Sequence, residues 1–282
     1  MQNTIHVKVY FVGRLRSDTL SLCSRDPVSL YNATRYAAFL ASKGQGAWGK
    51  SNWVEICQPY NTKHLLLHSW DEEKSQLIDL INSEKPNLVL IGTMTICFPG
   101  AIECAKLAKK ILGKNVTVVL GGKHINETVY INSLNEVSIL KNAPINLQKE
   151  KVIPDVFDLF VSGEAEHLIV RLGELIMTDS NPENVKKRIA DTSISEIDTP
   201  GEWIISTIIE DEIVSQVGNT KLKNDEVPSA ISVFGTKSDG FDVFPGTVTG
   251  QLFSHYSMGC VYKCSFCSES SWHAPLNLIH LL

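Results

Sequence analysis

Residues 87–122 constrain the fold of this 282-residue chain more than any other stretch. The run "NLVLIGT" is continuously apolar, which is typical of a parallel strand that is covered on both faces. A helix is predicted over "PGAIECAKLAKKILG", which begins with Pro99 and ends at Gly113. "VTVVLGG" follows as a second buried strand. A strand, a helix and a strand within about 36 residues predict a right-handed βαβ crossover between two parallel strands.

A similar alternation of strands and helices surrounds this unit and extends the predicted domain over residues 1–178. Strands are predicted at "IHVKVYFV", "VEIC", "HLLLHSW" and "DLFVSG", with the choice between the second and the third left open. Helices are predicted at "VSLYNATRYAAFLASKG", over residues 71–85, within residues 127–140 and at "EAEHLIVRLGELIM". This alternation predicts an α/β fold with a doubly wound parallel sheet.

The character of the sequence changes after residue 178. Residues 179–250 are predicted to be a polar linker with at most one short helix, in "TDSNPENVKKRIADTSISEIDTPGE", and with short β elements, among them a hairpin or two edge strands in "WIISTIIEDEIVSQVG". Residues 251–282 form a third segment, in which the short predicted strand "QLFSHYSM" leads into a cysteine-rich loop. The sequence therefore predicts an α/β domain, a bridging segment and the start of a further domain.

The composition narrows the functional classes. The net charge is −5 and no block of Lys and Arg occurs, so no nucleic-acid partner is predicted. No membrane association is predicted either, because no apolar run approaches the ~20 residues that span a bilayer. The amino terminus lacks the pattern of a secretory signal. Three of the seven cysteines cluster near the carboxyl terminus, which favours reduced thiols and a metal in the cytoplasm over a disulfide framework.

The cysteine-rich loop, "SMGCVYKCSFCSES", places Cys260, Cys264 and Cys267 in a Cys-x3-Cys-x2-Cys arrangement. Structural zinc usually takes four protein ligands, so three thiolates leave one coordination position open. A cubic iron–sulfur cluster held by three cysteines keeps one iron available to a small molecule. The spacing alone leaves three interpretations: such a cluster, a Cys3His zinc site completed by His255 or His273, or a chance grouping.

The loop resembles the defining motif of the radical S-adenosylmethionine superfamily, Cys-x3-Cys-x-aromatic-Cys, with Phe266 as the aromatic residue. The resemblance implies that the three cysteines hold a [4Fe–4S] cluster, which binds S-adenosylmethionine and cleaves it to a 5′-deoxyadenosyl radical. It also implies an electron donor such as a flavodoxin or a ferredoxin. "GCVYKCSFC" is similar to the form "GCPYKCSFC" of the cobalamin-associated branch, with Val261 in place of proline.

Three turns of the α/β domain resemble successive signatures of the cobalamin-binding domain that precedes the radical barrel in many such enzymes. They are "KPNLVLIGTMT", "VTVVLGGKH" and "DLFVSGEAEHLI". All three are predicted to lie at carboxyl ends of parallel strands, where flavodoxin-like and Rossmann-like sheets bind ligands. Threonine hydroxyls, glycines without a Cβ and a carboxylate at a helix start suit a bulky polar ligand. The residues predicted to bind cobalamin are Thr93, Thr95, Gly121, Gly122, Gly163 and Glu164.

The sequence departs from the cobalamin-binding pattern at several positions. Lys123 replaces the usual proline, and Ala165 replaces the second glycine of the form "GEGE". No Asp-x-His-x-x-Gly motif is present, so cobalamin is expected to bind without a histidine of that motif beneath the cobalt. His124 is predicted to form a local hydrogen bond rather than to bind cobalt. An alternative is that the three turns are ordinary βα turns of a flavodoxin-like sheet.

The functional hypothesis is the amino-terminal part of a cobalamin-dependent radical S-adenosylmethionine enzyme, with methyl transfer as the expected reaction of the parent enzyme. The substrate, a small molecule or a peptide, is not readable from the sequence. Only fifteen residues follow Cys267, whereas one βαβ unit needs about 30. A truncated barrel with poorly ordered final residues is therefore expected, and whether this chain is itself an enzyme stays open. The alternatives are a non-catalytic cobalamin-binding or flavodoxin-like module and a zinc-stabilised interaction protein.

Overall fold

The computed structural model of the chain describes residues 2–9, 47–49, 55–57, 60–67, 70–179, 181–191, 197–220, 257–258 and 277–278. Before residue 74 and after residue 220 it describes the course of the backbone. The side chains discussed below therefore lie between Lys74 and Thr220.

Most of the described strands belong to one mixed sheet. In chain order the strands are β1 (Gln2–Val9), β2 (Ala47–Gly49), β3 (Glu55–Cys57), β4 (Tyr60–Leu67), β5 (Leu88–Thr93), β6 (Thr117–Gly121), β7 (Val129–Ile131), β8 (Val137–Ile139), β9 (Leu159–Gly163), β10 (Gly201–Ile209), β11 (Glu212–Thr220), β12 (Ser257–Met258) and β13 (Asn277–Leu278). The sheet has the order β11-β10-β9-β6-β5-β1-β4-β3-β2. Its five central strands, from β9 to β4, are parallel, and antiparallel strands complete both margins.

The order of the parallel strands confirms the predicted α/β fold. Numbered by their own succession along the chain, they lie in the order 2-1-3-4-5, which is the flavodoxin-like form of a doubly wound sheet. Both candidate strands between which the sequence did not decide, "VEIC" and "HLLLHSW", contribute to the sheet, as β3 and β4. After β1 the chain continues to β4, towards one margin of the sheet, whereas after β5 it continues to β6 and β9, towards the other margin. The strand order therefore reverses between the neighbours β1 and β5.

Helices pack on both faces of the sheet. They are α1 (Trp70–Glu84), α2 (Phe98–Leu112), α3 (Lys123–Thr128), α4 (Pro144–Lys149), α5 (Glu166–Thr178) and α6 (Pro182–Asp191). Side chains alternate along β5, so that Val89 packs with α1, α2 and α4, and Leu88 packs with α5 and α6. Each fully buried aliphatic side chain in these layers stabilises the fold by roughly 1.5–3 kcal/mol. The continuous apolar run of β5 is thus explained by burial on both sides.

Residues 201–220 extend the sheet beyond the boundary that the sequence predicted at residue 178. The predicted hairpin is present, because β10 and β11 pair antiparallel around a turn at Glu210 and Asp211. However, β10 also pairs with β9, and its residues Trp203 and Ile205 are buried in the same core as α5 and α6. Part of the predicted linker 179–250 is therefore a structural margin of the α/β domain.

A hairpin occupies most of the stretch 127–140, where the sequence predicted a helix. Helix α3 ends at Thr128, and β7 and β8 follow as an antiparallel pair. The Asn132 side chain holds the connecting turn, because its Oδ1 accepts hydrogen bonds from the amides of Leu134 and Glu136 at 2.9 and 3.0 Å. An Asn that binds its neighbouring backbone favours a turn over a helix. The β-branched residues of "VYI" then pair as a strand.

A buried ion pair joins three elements at the amino edge of the parallel strands. Asp158 lies directly before β9, and its Oδ2 accepts hydrogen bonds from Lys109 Nζ at 2.6 Å and from the Val118 amide at 2.7 Å. Lys109 Nζ also donates to the Val116 carbonyl at 3.1 Å. Burial raises the pKa of Asp158, and the Lys109 charge and these hydrogen bonds oppose that rise. The pair fixes the last turn of α2 against the starts of β6 and β9.

Candidate ligand site at the carboxyl edge of the sheet

The reversal of strand order identifies the place where a sheet of this kind binds ligands. Val9 at the end of β1 pairs with Thr93 at the end of β5, and Gly92 of β5 pairs with Gly121 of β6. The carboxyl ends of these strands therefore lie side by side at one edge. In doubly wound sheets the crevice outside this edge, where the order reverses, is the usual ligand site.

The two predicted threonines have different partners. Thr93 is fully buried, and its Oγ1 donates a hydrogen bond to the Met94 carbonyl at 3.0 Å. Thr95 begins the short 3-10 turn between β5 and α2. Its Oγ1 lies 3.0 Å from His124 Nδ1 and 2.9 Å from Glu127 Oε2. The Thr93 hydroxyl thus forms its hydrogen bond within its own turn, whereas Thr95 connects the turn after β5 to the helix after β6.

Gly122 is required by the packing of the turn after β6 against the turn after β5. Its φ is +90°, and a Cβ placed there would lie 2.8 Å from the Thr93 amide nitrogen and 3.0 Å from the Thr93 carbonyl oxygen. No side chain fits at such distances from a neighbouring backbone. Gly121 is less restricted, since its Cβ would lie 3.4 Å from the Val161 carbonyl oxygen. Close approach of protein backbone accounts for Gly122 without a ligand.

Gly163 and Glu164 are held by the neighbouring antiparallel strand. Gly163 has φ +91°, and a Cβ there would collide with the carbonyl oxygen of Glu202 in β10. The Glu164 amide donates to that same carbonyl at 2.9 Å, and the Gly163 amide donates to Asn126 Oδ1 at 3.1 Å. Both amides of this turn thus have protein partners, although Gly163 and Glu164 were predicted to bind cobalamin.

His124 forms a hydrogen bond with Thr95, which lies 29 residues away along the chain, instead of the local hydrogen bond that the sequence predicted. Its side chain is buried, its Nδ1 meets Thr95, and its ring centroid lies 4.8 Å from that of Phe98 with the planes tilted by 48°. Burial lowers the pKa of His124, and the nearby Glu127 carboxylate partly offsets this. A buried imidazole with a lowered pKa is neutral at pH 7.

Sequence reasoning did not find three polar residues of this edge. Asn126 and Glu127 lie on α3, and Ser162 on β9 donates through Oγ to the Val129 carbonyl at 2.7 Å. The spacing of His124 and Glu127 at i and i+3 was a usable signal, because such residues share a helix face. The partnership with Thr95 spans 29 and 32 residues and follows only from the adjacency of β5 and β6.

A glycine-rich stretch, "GQGAWGKS" at residues 44–51, fits the spacing of a phosphate-binding P-loop. That motif requires a loop between a parallel strand and a helix, so that backbone amides surround the phosphates. Here residues 47–49 form β2, which pairs antiparallel with β3 at the sheet margin. The described backbone therefore does not provide the context of a P-loop.

The three cysteines predicted to bind the cluster, Cys260, Cys264 and Cys267, lie outside the described residues. The last two residues of the strand predicted directly before them, Ser257 and Met258, form β12, which pairs antiparallel with β13. Within the part of the chain whose side chains are described, no group of three or more metal-binding residues occurs. Cys97 and Cys104 are buried there and form no disulfide bond, and burial raises the pKa of Cys104.

An open groove of about 820 Å³ lies at the opposite, amino edge of the sheet. It is lined by the loop before β9, the start of α6 and the β10–β11 turn, and it carries four lysines and four carboxylate side chains. Lys186 pairs with Glu183 at 2.9 Å, and Lys149 pairs with Glu212 at 3.3 Å. Its charges balance, so the groove does not favour a ligand of one sign.

Comparison of the chain with protein-family models, with curated proteins and with solved structures finds no match. Among the helices that the structure describes, none is both long enough and apolar enough to cross a membrane.

Proposed function

We propose that this chain is the amino-terminal part of a cobalamin-dependent radical S-adenosylmethionine enzyme, whose α/β domain binds cobalamin at the carboxyl edge of the sheet. The parent reaction in this proposal is methyl transfer, assisted by a [4Fe–4S] cluster at Cys260, Cys264 and Cys267.

One observation carries the cobalamin half of the proposal. The strand order reverses between β1 and β5, and the turn after β5 brings Thr95 beside His124 at the same edge. All three turns that resemble cobalamin-binding signatures follow parallel strands that end at this edge. A large polar ligand would find there hydroxyl, imidazole, carboxylate and amide groups together.

The three cysteine thiolates support the part of the proposal that concerns the [4Fe–4S] cluster. Three thiolates in one short loop can hold three irons of a cube and leave the fourth for S-adenosylmethionine. When bound, such a cluster would supply the electron that breaks the sulfonium bond. The chain's own contribution there would be the spacing of the three sulfur atoms and the aromatic Phe266 beside the last of them.

A second candidate is a cobalamin-binding or flavodoxin-like module without catalytic activity. Specific observations favour it: Gly122 and Gly163, two of the glycines in the signature turns, are explained by close backbone contacts within the domain. On this view the signature glycines serve chain geometry and the cysteine loop is vestigial. A third candidate is an interaction protein in which the cysteine loop holds zinc.

Anaerobic reconstitution of the full chain with iron and sulfide, with and without hydroxocobalamin, separates these candidates. The measurements are metal content and the visible absorption spectrum after removal of unbound material. About four irons per chain, together with retained cobalamin, support the first proposal. Cobalamin without iron supports the module, and zinc with neither supports the interaction protein.

Matched variants make the cluster result specific. Cys264→Ser should abolish iron retention, because it removes one of three ligands, whereas Cys23→Ser, at a cysteine isolated in the sequence, should leave the iron content unchanged. Equal iron content in both variants would overturn the assignment of the cluster to this loop.

A further inference from the structure

The Thr95 hydroxyl lies between a carboxylate and a ring nitrogen, and the carboxylate fixes the direction of its hydrogen bonds. Thr95 Oγ1 is 2.9 Å from Glu127 Oε2 and 3.0 Å from His124 Nδ1. A hydroxyl has one proton to donate, and an ionised carboxylate can only accept. The bond to the carboxylate is charge-assisted and is the stronger of the two. The Thr95 proton therefore points to Glu127, and Thr95 Oγ1 is left to accept.

The direction of this bond sets the tautomer of His124. If Thr95 Oγ1 accepts from the ring, Nδ1 must be the protonated nitrogen of the neutral imidazole. Nε2 then carries the lone pair. The Phe98 ring, at 4.8 Å between centroids, packs against the imidazole and restricts its rotation. Two side chains and one aromatic contact thus hold the ring in a single orientation.

Nε2 remains available to a ligand. Among the described residues, the hydrogen bonds of His124 are those of its Nδ1 and its backbone carbonyl. Nε2 is also not one of the fully buried side-chain atoms without a partner, which are found elsewhere in the described residues. The residue is only 4 % exposed, but its basic nitrogen is thus not sealed within the core.

We propose that His124 is a hydrogen-bond acceptor for a bound ligand, taking an N–H or O–H group of that ligand through Nε2, with Thr95 and Glu127 as its positioning residues. If the ligand is cobalamin, the donor is a carboxamide at the rim of the corrin; that identity rests on the proposed function above. The acceptor role of Nε2 is argued from the side chains of Thr95, His124 and Glu127 alone.

The tautomer is measured directly by NMR on the full chain with 15N-labelled histidine, using long-range 1H–15N correlations assigned with His124→Gln. At pH 7 the expected result is a protonated Nδ1 and an unprotonated Nε2. Glu127→Gln places an N–H donor within reach of Thr95, which lets the Thr95 proton turn to His124 Nδ1. The population with a protonated Nε2 should therefore rise in this variant and in Thr95→Val, and Thr95→Ser should restore the original tautomer.

Thr128→Val is the matched control. Thr128 Oγ1 donates to the His124 backbone carbonyl at 2.7 Å, so this variant disturbs the same helix without touching the ring. Its tautomer should match that of the unsubstituted chain. A protonated Nε2 in the unsubstituted chain would overturn the proposal. So would a tautomer that is unchanged in both Glu127→Gln and Thr95→Val.

The contact with a ligand is tested by titration with hydroxocobalamin. His124→Phe, which keeps an aromatic ring beside Phe98 but has no acceptor, should weaken binding roughly tenfold, since one hydrogen bond is lost. His124→Gln, which supplies an acceptor oxygen, should recover most of the affinity. Unchanged affinity in His124→Phe overturns the contact, and so does a cobalt absorption shift that depends on His124, which would mean coordination instead.

The NMR measurement of the tautomer and the titration with hydroxocobalamin can reject the two proposals independently. If the unsubstituted chain binds no cobalamin, the proposed function and the carboxamide donor are both rejected, while the tautomer still decides whether His124 is held as an acceptor. If cobalamin binds and the tautomer is the opposite one, the proposed function stands and the acceptor role of His124 is rejected.

Discussion

The two edges of the parallel sheet are built from different kinds of contact. At the amino edge, the Asp158 carboxylate is buried and binds Lys109 and the Val118 amide, all within the protein. At the carboxyl edge, the hydrogen bonds that link Glu127, Thr95 and His124 end at a ring nitrogen that has no hydrogen-bond partner among the described residues. The first arrangement satisfies its polar groups internally, and the second leaves one group for a partner outside the domain.

This difference teaches where stability and binding reside in the fold. A polar group buried with all its partners fixes elements in place, as Gln148 also does for the loop before β9 by binding the Phe157 amide and carbonyl at 3.1 and 2.7 Å. Substitutions at the amino edge should therefore change the free energy of unfolding. Substitutions at the carboxyl edge should change ligand contacts, except where backbones pack closely, as at Gly122.

The largest effect is expected from Lys109→Met, which breaks the buried pair. Asp158 would lose its charged partner while its carboxylate stays buried, and removal of one member of such a pair costs about 3 kcal/mol or more. Urea denaturation measures this change. The matched control is Lys106→Met on the same helix, because Lys106 forms an exposed pair with Glu103 at 2.8 Å and such pairs contribute about 0–1 kcal/mol. Equal losses in both variants would show that the amino edge is not held by its ion pair.

Gly122→Ala should have the next largest effect, about 2 kcal/mol, since a Cβ at 2.8 Å from the Thr93 amide must displace backbone and the φ of +90° is strained for alanine. Gly113→Ala separates the two causes. Gly113 has φ +62°, but a Cβ added there would meet nothing within 4 Å, so the stability lost in this variant reports backbone strain alone, about 1 kcal/mol. If the two variants unfold at the same urea concentration, the close approach of the turns after β5 and β6 is not what requires Gly122.

The sequence predicted the parts of each edge that depend on local pattern, and missed the parts that depend on topology. The apolar run of β5 and the glycine turn after β6 are readable because burial on two faces and positive φ leave local signals. The polar helix α6 was predicted only as one short helix within a linker, although Val185 and Ile189 at i and i+4 mark its buried side. The contact between Thr95 and His124 has no local signal, because it exists only once β5 and β6 are neighbours.

The pH dependence of Lys109→Met sharpens the comparison further. Burial raises the pKa of Asp158 above its unfolded value of about 3.9, so the folded state binds this proton more tightly and this contribution to stability falls as pH rises. The Lys109 charge and its hydrogen bond both lower the pKa of Asp158. Their loss in Lys109→Met should therefore raise this pKa further. The stability difference between Lys109→Met and the unsubstituted chain should therefore be small near pH 4 and grow towards pH 7. A difference that is constant over this range would mean that lost packing, not the uncompensated buried charge, causes the destabilisation.

The smallest effect tests whether the amino edge is fully satisfied. Thr117 at the start of β6 has a buried Oγ1 without a hydrogen-bond partner, so Thr117→Val should stabilise the domain by about 1 kcal/mol, because an unpaired buried hydroxyl is replaced by a methyl group of similar volume. Thr207→Val is the matched change in β10, where Oγ1 donates to the Asp158 carbonyl at 2.8 Å, and it should destabilise by a similar amount. Opposite shifts of the urea midpoint would show that hydroxyl groups at this edge contribute through internal partners only. Destabilisation by Thr117→Val would instead indicate that its hydroxyl has a partner in the folded chain, and that the amino edge is more completely bonded than the described residues show.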